Sequence, residues 1–277
     1  MTILKSLAIL AGLSLAAAPA LADQLSDIKA KGGLICGTMG NYEPFSFPDP
    51  ATREIIGYEV DLCRAVADDL GVKLELKLIA VEARIPELTE GRVDLVAAAL
   101  GYTAERAQQI DYSNASFVSL QRLLVKEGSD IKAMEDLSGK KVSAPKGSSS
   151  ERFLREIVPQ ATILTFQDPP AAFLALQQSK VKALALSEVA SVKFVNTAGG
   201  GFAFLPGAMA KEYWGLGLRR NEPAFKEAVN ATLTRLEETG EAQKIFDKWF
   251  GPETQFKLTR AFRMNEPVSD PVLKPAL

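Results

Sequence analysis

From residue 34 onward the chain alternates short apolar runs with stretches where apolar residues recur every three or four positions, the signatures of strand and helix. Residues 34–38 are the first apolar run. Leu62, Val66 and Leu70 then fall at helical spacing, and Gly71 supplies the stop. Residues 72–78 (VKLELKL) alternate as a half-buried strand does. Ile85 and Leu88 mark a short helix closed by Gly91. Residues 93–100 are almost wholly apolar, as expected of a parallel strand covered on both faces. Thr103 can cap a helix after it. Around residues 118–125 the rhythm changes to a long extended segment. A second set comes next: strand 141–144, helix from Ser148, strand 162–166, helix from Pro170 and strand 181–186. Gly199, Gly200 and Gly201 form a loop, and residues 215–218 are extended again. An amphipathic helix over 223–238 turns Phe225, Val229, Leu233 and Leu236 inward and stops at Gly240. A further helix ends at Trp249 and Phe250, after which helical periodicity is lost and prolines accumulate.

This order predicts an α/β fold of two lobes, each about 100 residues. Two extended crossings, near 118–122 and 213–218, join them. Lobe 1 is then 23–119 plus 216–277, and lobe 2 is 120–215. Open α/β sheets bind ligands beyond the carboxyl ends of their strands, so two facing sheets place a site in the cleft. The crossings would serve as a hinge.

The first 22 residues have another character. Lys5 precedes an uncharged run from residue 7 to residue 18; Pro19 breaks it, and Ala20-Leu21-Ala22 has the small-x-small pattern of a signal-peptidase site. As a helix the run would reach about 18 Å, short of the ~20 residues that cross a bilayer. Residues 1–22 are therefore read as a signal peptide cleaved after Ala22, and the mature protein as exported to the periplasm.

Composition narrows the chemistry. Among 277 residues, 47% are hydrophobic and 24% charged, a globular composition, and the net charge of −2 gives no basic excess for nucleic acid or anionic lipid. The absence of histidine excludes Ser-His and Cys-His catalysis and every His-containing metal site. Cys36 and Cys63 are too few for a Cys-rich metal site. An oxidising compartment permits a disulfide between them, but each falls at an apolar position of its element, which favours buried thiols. Scattered S-x-x-K matches lack an accompanying K-T-G, and no G-x-S-x-G occurs. No catalytic residue, metal ligand or cofactor is assigned. Neighbouring acids such as Glu237 and Glu238 belong to the polar face of their helix.

The candidate binding residues cluster at strand ends. Arg106 follows the buried run 93–100, and a guanidinium forks two N–H donors onto a carboxylate. Ser148 with Glu151 fits a capping box, and free N–H groups at a helix start attract anions. Tyr42 and Phe45, in the loop after the first strand, offer a flat apolar wall. Arg84 is a third cation bordering the same cleft. Ordinary salt bridges, caps and core packing would use the same residue types.

Taken in order, GTMGNYEPFSF, GYEVDLCRAVADDLGV, RIPELTEGRVDLVAAALGYTAER, KKVSAPKGSSSERF and GEAQKIFDKWFGP resemble the family 3 periplasmic solute-binding proteins, the amino-acid receptors of ABC importers. The glutamate/aspartate-type branch looks most similar. The resemblance spans about residues 30–252 and implies the type II periplasmic-binding fold, an ABC permease as partner, a monomer and no nucleic acid. It implies that Arg106 holds a ligand α-carboxylate, helped by backbone donors at Ala99 and Gly101 and by Ser148 and Ser149 of the second lobe. Tyr42 and Phe45 match the aromatic wall, and Arg84 an arginine that meets an acidic side chain. The acid that pairs with the α-ammonium should fall at Ser187, so either Glu188 swings in or the ligand lacks a free α-amine. Gly101 stands where Ser or Thr is usual, and Met39 and Pro169 replace polar or basic residues. The reading is an exported receptor that closes on an amino acid or related small carboxylate. The alternatives are a dehydratase like those acting on cyclic dicarboxylates, with Glu188 as its acid, and a sensor that presents its ligand to a receptor kinase.

Overall fold

The structure is a computed structural model and describes residues 23–275. The expected signal peptide lies outside the described residues. Helix α1 (Gln24–Lys31) leads into strand β1 (Gly33–Thr38), a short hairpin of β2 (Phe47–Pro48) and β3 (Ile55–Ile56), α2 (Tyr58–Leu70), β4 (Lys73–Leu78), α3 (Arg84–Thr89) and β5 (Leu95–Val96). Then come the 16-residue β6 (Asp111–Lys126), β7 (Lys141–Pro145), α4 (Ser149–Ile157), β8 (Thr162–Phe166), α5 (Pro169–Gln177) and β9 (Ala183–Ser187). The chain finishes with α6 (Glu188–Ala198), β10 (Phe202–Phe204), β11 (Ala210–Leu218), α7 (Pro223–Glu238), α8 (Glu241–Phe250) and β12 (Val272–Leu273).

The main sheet runs β4-β1-β5-β11-β6-β9-β7-β8. Its two ends are parallel triplets of the same design, β4-β1-β5 and β8-β7-β9, each with the first strand in the middle. Between them β6 and β11 pair antiparallel over most of their length, with register shifts around Gly215. The two extended segments of the sequence thus hydrogen-bond to each other as they pass between the triplets. A Cβ on Gly217 would lie 2.7 Å from a Leu100 methyl, so glycine is what lets β11 pass the end of β5.

Local signals and structure agree where the signals are strongest. Gly71 takes a left-handed conformation (φ 70°) and caps α2 through N–H bonds to Ala67 and Asp68. In α7, Phe225, Val229, Leu233 and Leu236 are all buried. Other expectations need correction. The run 93–100 is buried apart from the half-buried Ala99, but only Leu95–Val96 is strand. Past Ala97, whose N–H reaches Gly37 O, the backbone turns through Ala99 at φ 50° toward the cleft. Thr103 does accept from Arg106 N (3.1 Å), yet the next element is a single 3-10 turn, Arg106–Gln108, rather than a helix. Cys36 and Cys63 are joined in a disulfide instead of remaining thiols, with Cα atoms 6.3 Å apart. They meet because α2 lies directly on β1 with both residues fully buried.

The larger core is aromatic at its centre: Phe45, Tyr58, Phe117, Trp214 and Phe250 surround one another with centroids 4.9–6.3 Å apart. A smaller core, including Val142, Phe153 and Leu154, lies in the β7 triplet. The proline-rich tail runs along the outside. Glu266 O accepts from Ala115 N, and β12 pairs with Ala210 and Lys211 of β11.

Candidate functional site

The carboxyl ends of β1, β5, β7 and β9 point at one another, so the loops that come after them meet between the triplets. These loops carry Tyr42, Ala99 to Gly101, Gly147 to Ser150, and Ser187. A small cavity there is lined by Met39, Tyr42, Arg84, Ser149, Glu212 and Trp214, among others. Its volume of about 30 Å³ holds a water or two, well below the ~300 Å³ and upward of ordinary ligand pockets. The cleft is shut by contacts between the two sides. Tyr42 Oη lies 2.7 Å from Ser187 Oγ, and Asn41 Nδ2 donates to Asp168 (3.1 Å). Lys146 pairs with Glu82 and Lys193 with Glu43, each at 2.8 Å.

Arg106 is the clearest cleft-spanning group. Its Nη1 donates to Gly101 O (2.8 Å) and Ser149 Oγ (3.1 Å), and its Nη2 to Gly147 O (3.1 Å). Ser148 is the N-cap of α4, accepting from Glu151 N as expected, while the Glu151 carboxylate returns to Gly147 N (2.8 Å). The first-turn amides of Ser149 and Ser150 have no intrahelical acceptor, so α4 aims free N–H groups at the guanidinium's surroundings. Gly101 faces Trp214 across an isolated bridge; its carbonyl also accepts from Tyr112 Oη (3.0 Å), and burial pushes that phenol up to about 12.

Five sequence-predicted residues have other duties. Arg84 lines the cavity but donates Nε to Val81 O (2.7 Å), Nη1 to Ala98 O (2.9 Å) and Ala99 O (2.8 Å), and Nη2 to Gly147 O (3.1 Å). Burial, then the nearby Arg106 charge, lowers it to about 10. The Ala99 N–H is no free donor, because it bonds Glu59 Oε1 at 2.7 Å. Phe45 is fully buried behind Tyr42, stacked at 5.4 Å, so it backs the wall instead of forming it. Glu188 points away. Arg122, packed over the Phe204 ring, holds it in an ion pair at 2.5 Å, and it borders a different surface hollow lined by Val118 and Lys211. It neither swings in toward Ser187 nor stands in the cleft as an acid. Ser187 is the N-cap of α6 and the partner of Tyr42. That contact lowers the Tyr42 phenol's pKa, but burial, the larger effect, holds it well above the usual tyrosine range.

Sequence reasoning missed Glu59, Gln121, Glu212 and Trp214. Glu59 is buried beneath Ala99, and burial raises it to about 7 although the Ala99 N–H and Arg84 oppose the rise. Glu212 is 1% exposed. Its Oε1 accepts from Gln121 Nε2 (2.6 Å) and Trp214 Nε1 (2.8 Å), and its Oε2 makes no hydrogen bond of ordinary geometry among the described residues. Burial raises its pKa, against the pull of Trp214, the Arg106 charge, the nearby Ser149 hydroxyl and Gln121. The signal was the phase of β11. Ala210, Glu212, Trp214, Leu216 and Leu218 alternate inward, so the acid shares the face of the tryptophan.

Chemically this is an anion-attracting, wall-backed cavity between two bodies. The hydroxyls of Ser148, Ser149 and Ser150 are engaged with Glu151 N, Arg106 and Gln121 Oε1 respectively, and the Ser149 hydroxyl also lies beside the Glu212 carboxylate. Among the described residues no cluster of three or more His, Cys, Asp or Glu side chains is placed to hold a metal.

Comparison with known proteins agrees with this architecture. Residues 34–252 match the model of the bacterial extracellular solute-binding proteins, family 3. The ABC transporter glutamine-binding protein GlnH of Bacillus subtilis (strain 168) is 30% identical over 82% of this chain and 84% of its own. The glutamate/aspartate import solute-binding protein of Escherichia coli (strain K12) is 30% identical over 90% of this chain and 87% of its own. Among solved structures, an ancestral amino acid-binding protein, a precursor of cyclohexadienyl dehydratase, superimposes with a TM-score of 0.76 at 29% identity, covering 83% of this chain and all of the other. By fold, by matched extent and by these relatives, the chain belongs to the family 3 bacterial extracellular solute-binding proteins.

Proposed function

We propose that the protein binds an amino acid, or a closely related small carboxylate, between its two lobes and delivers it to the permease of an ABC importer. The observation that carries this reading is the convergence of Arg106 from one side and the N-terminus of α4 from the other. A guanidinium fork and oriented free amides are what a carboxylate needs. Arg106 would hold the carboxylate with the Gly101 and Ser149 backbone, Ser148 would fix the helix start, and Tyr42 and Trp214 would wall the pocket. The side chain of Arg84 and the backbone of Ala99 would shape the floor. The relatives named above bind glutamine and glutamate or aspartate, so the α-carboxylate end is the shared feature and the side-chain end varies.

Entry requires opening, since the shut cavity has room only for water. Lobes of 23–119 plus 216–277 and of 120–215 would swing about β6 and β11, breaking the Arg106–Gly147 and Tyr42–Ser187 contacts, and a bound ligand would replace them. Residues 1–22 would direct export to the periplasm with cleavage after Ala22, where the protein works as a monomer. The dehydratase reading loses its acid, because Glu188 stands outside the cleft.

A thermal-shift screen of protein unfolded and refolded to strip carried-over ligand tests this. A true ligand at 100 times its dissociation constant adds ~2.7 kcal/mol to stability. At least one compound from a panel of amino acids and small carboxylates should raise the melting temperature. A flat response across the panel would contradict the proposal.

A further inference from the structure

Glu212 is an unusual group to find in this cavity. It lies on β11, one of the two strands that pass between the triplets, and is 1% exposed. Its Oε1 is held on its own side of the cleft by Gln121 and Trp214, at 2.6 and 2.8 Å. Its Oε2 is buried and makes no hydrogen bond of ordinary geometry among the described residues; the Ser149 hydroxyl lies beside it, near Gly101, without closing one. A carboxylate oxygen taken out of water without a donor is costly, and here it is aimed at a place a solute would occupy. What it lacks is an N–H-bearing cation.

The backbone opposite makes room for it. A Cβ built on Gly101 would sit 2.2 Å from Glu212 Oε2 and 2.8 Å from Ser149 Oγ, so the carboxylate occupies the volume that any side chain at 101 would need. Glu59 Oε2 also lacks a partner but lies beneath Ala99, outside the cavity lining, and two acceptors at the end of β9 are already committed. Ser187 Oγ is shared with Tyr42, and the Glu188 carboxylate is locked to Arg122 outside the cavity.

Resting on the reading that a small carboxylate enters this cleft, we propose that Glu212 holds the ammonium group of the solute and makes the site selective for free amino acids. Gly101 is the accompanying requirement, since it leaves the carboxylate its space.

The test is calorimetric titration of the best amino acid from the screen and of its 2-hydroxy analogue, in which a hydroxyl replaces only the ammonium. Wild-type protein should bind the amino acid at least tenfold more tightly. Glu212→Gln keeps an oxygen for Gln121 and Trp214 and should lose at least tenfold for the amino acid and less than threefold for the 2-hydroxy acid. Equal affinities in the wild type, a variant within threefold of wild type for the amino acid, or equal losses for both ligands would overturn the assignment while leaving the carboxylate-binding function intact. Binding of neither compound, nor of any other in the panel, by wild type would overturn both. The wild-type comparison stands on its own should the variant not fold.

Discussion

At the junction of α7 and the tail, Glu237 meets the Arg260 guanidinium through both carboxylate oxygens, at 2.5 and 2.9 Å, and also accepts from Met264 N (3.0 Å). In the cleft, Glu212 is more deeply buried, yet closes hydrogen bonds on one oxygen only. The first carboxyl is held below its ordinary range by the arginine, and the second is pushed above it by burial. A structural carboxylate is satisfied within the fold, whereas one left half-satisfied in a cavity is suited to something that arrives from outside. A weaker form of the contrast separates Arg84, three of whose four carbonyl acceptors lie on its own side with only Gly147 O across the cleft, from Arg106, two of whose three acceptors, Ser149 Oγ and Gly147 O, lie across it and would part on opening.

The comparison can be broken first at the tail. Arg260→Ala leaves Glu237 enclosed with much less compensation and should destabilise the protein by about 3 kcal/mol, a fall in melting temperature of roughly 6–12 °C for a chain of this size. Glu212→Gln removes a buried charge that the fold does not fully satisfy, so its melting temperature should equal or exceed that of wild type. A large loss there, matching that of Arg260→Ala, would erase the distinction.

The two kinds of carboxyl also predict opposite responses to pH. Glu237 binds its proton more weakly folded than unfolded, so its stabilisation is complete above its ordinary pKa of 4.5 and is lost as pH falls. Glu59 binds its proton more tightly when folded, with a pKa near 7, so its contribution is full below 4.5 and is lost as pH rises toward about 7. Glu59→Gln keeps an acceptor for Ala99 N and should flatten the decline in melting temperature across pH 4.5–7 without changing the acid limb. The smallest effect expected is that of Glu188→Gln. With its ion pair outside the cavity, it should leave ligand affinity within twofold of wild type by titration.

Much of this architecture was legible because it is written locally. The α2 stop at Gly71, the inward stripe of α7 and the cap at Ser148 depend on residues a few positions apart, and the two extended crossings stand out against the helical rhythm around them. What escaped depends on long-range neighbours. The run 93–100 is apolar because it is buried, but sheet pairing ends at Val96 where the chain turns into the cleft, and apolarity alone does not mark that turn. Phe45 and Tyr42 look alike in one loop, and only Tyr58, Phe117 and Trp214 pressing from behind decide which of them faces the cavity. Glu188, next to Ser187 in the chain, is the natural substitute for a missing acid, but Arg122, 66 positions away, claims it. Glu237 reads as a polar-face acid because its partner Arg260 comes from a tail without periodicity. Glu212 was visible in principle, as an acid in phase with Trp214, Leu216 and Leu218 on one strand.

The measurement closest to the central claim is a calorimetric titration of the screened ligand into wild-type protein and into Arg106→Ala. If the carboxylate is held across the cleft by this guanidinium, its loss removes about 3–5 kcal/mol of binding, a weakening of at least a hundredfold, with the melting temperature of the unliganded variant near that of wild type. An affinity within threefold of wild type would contradict the account, because the ligand would then be held elsewhere.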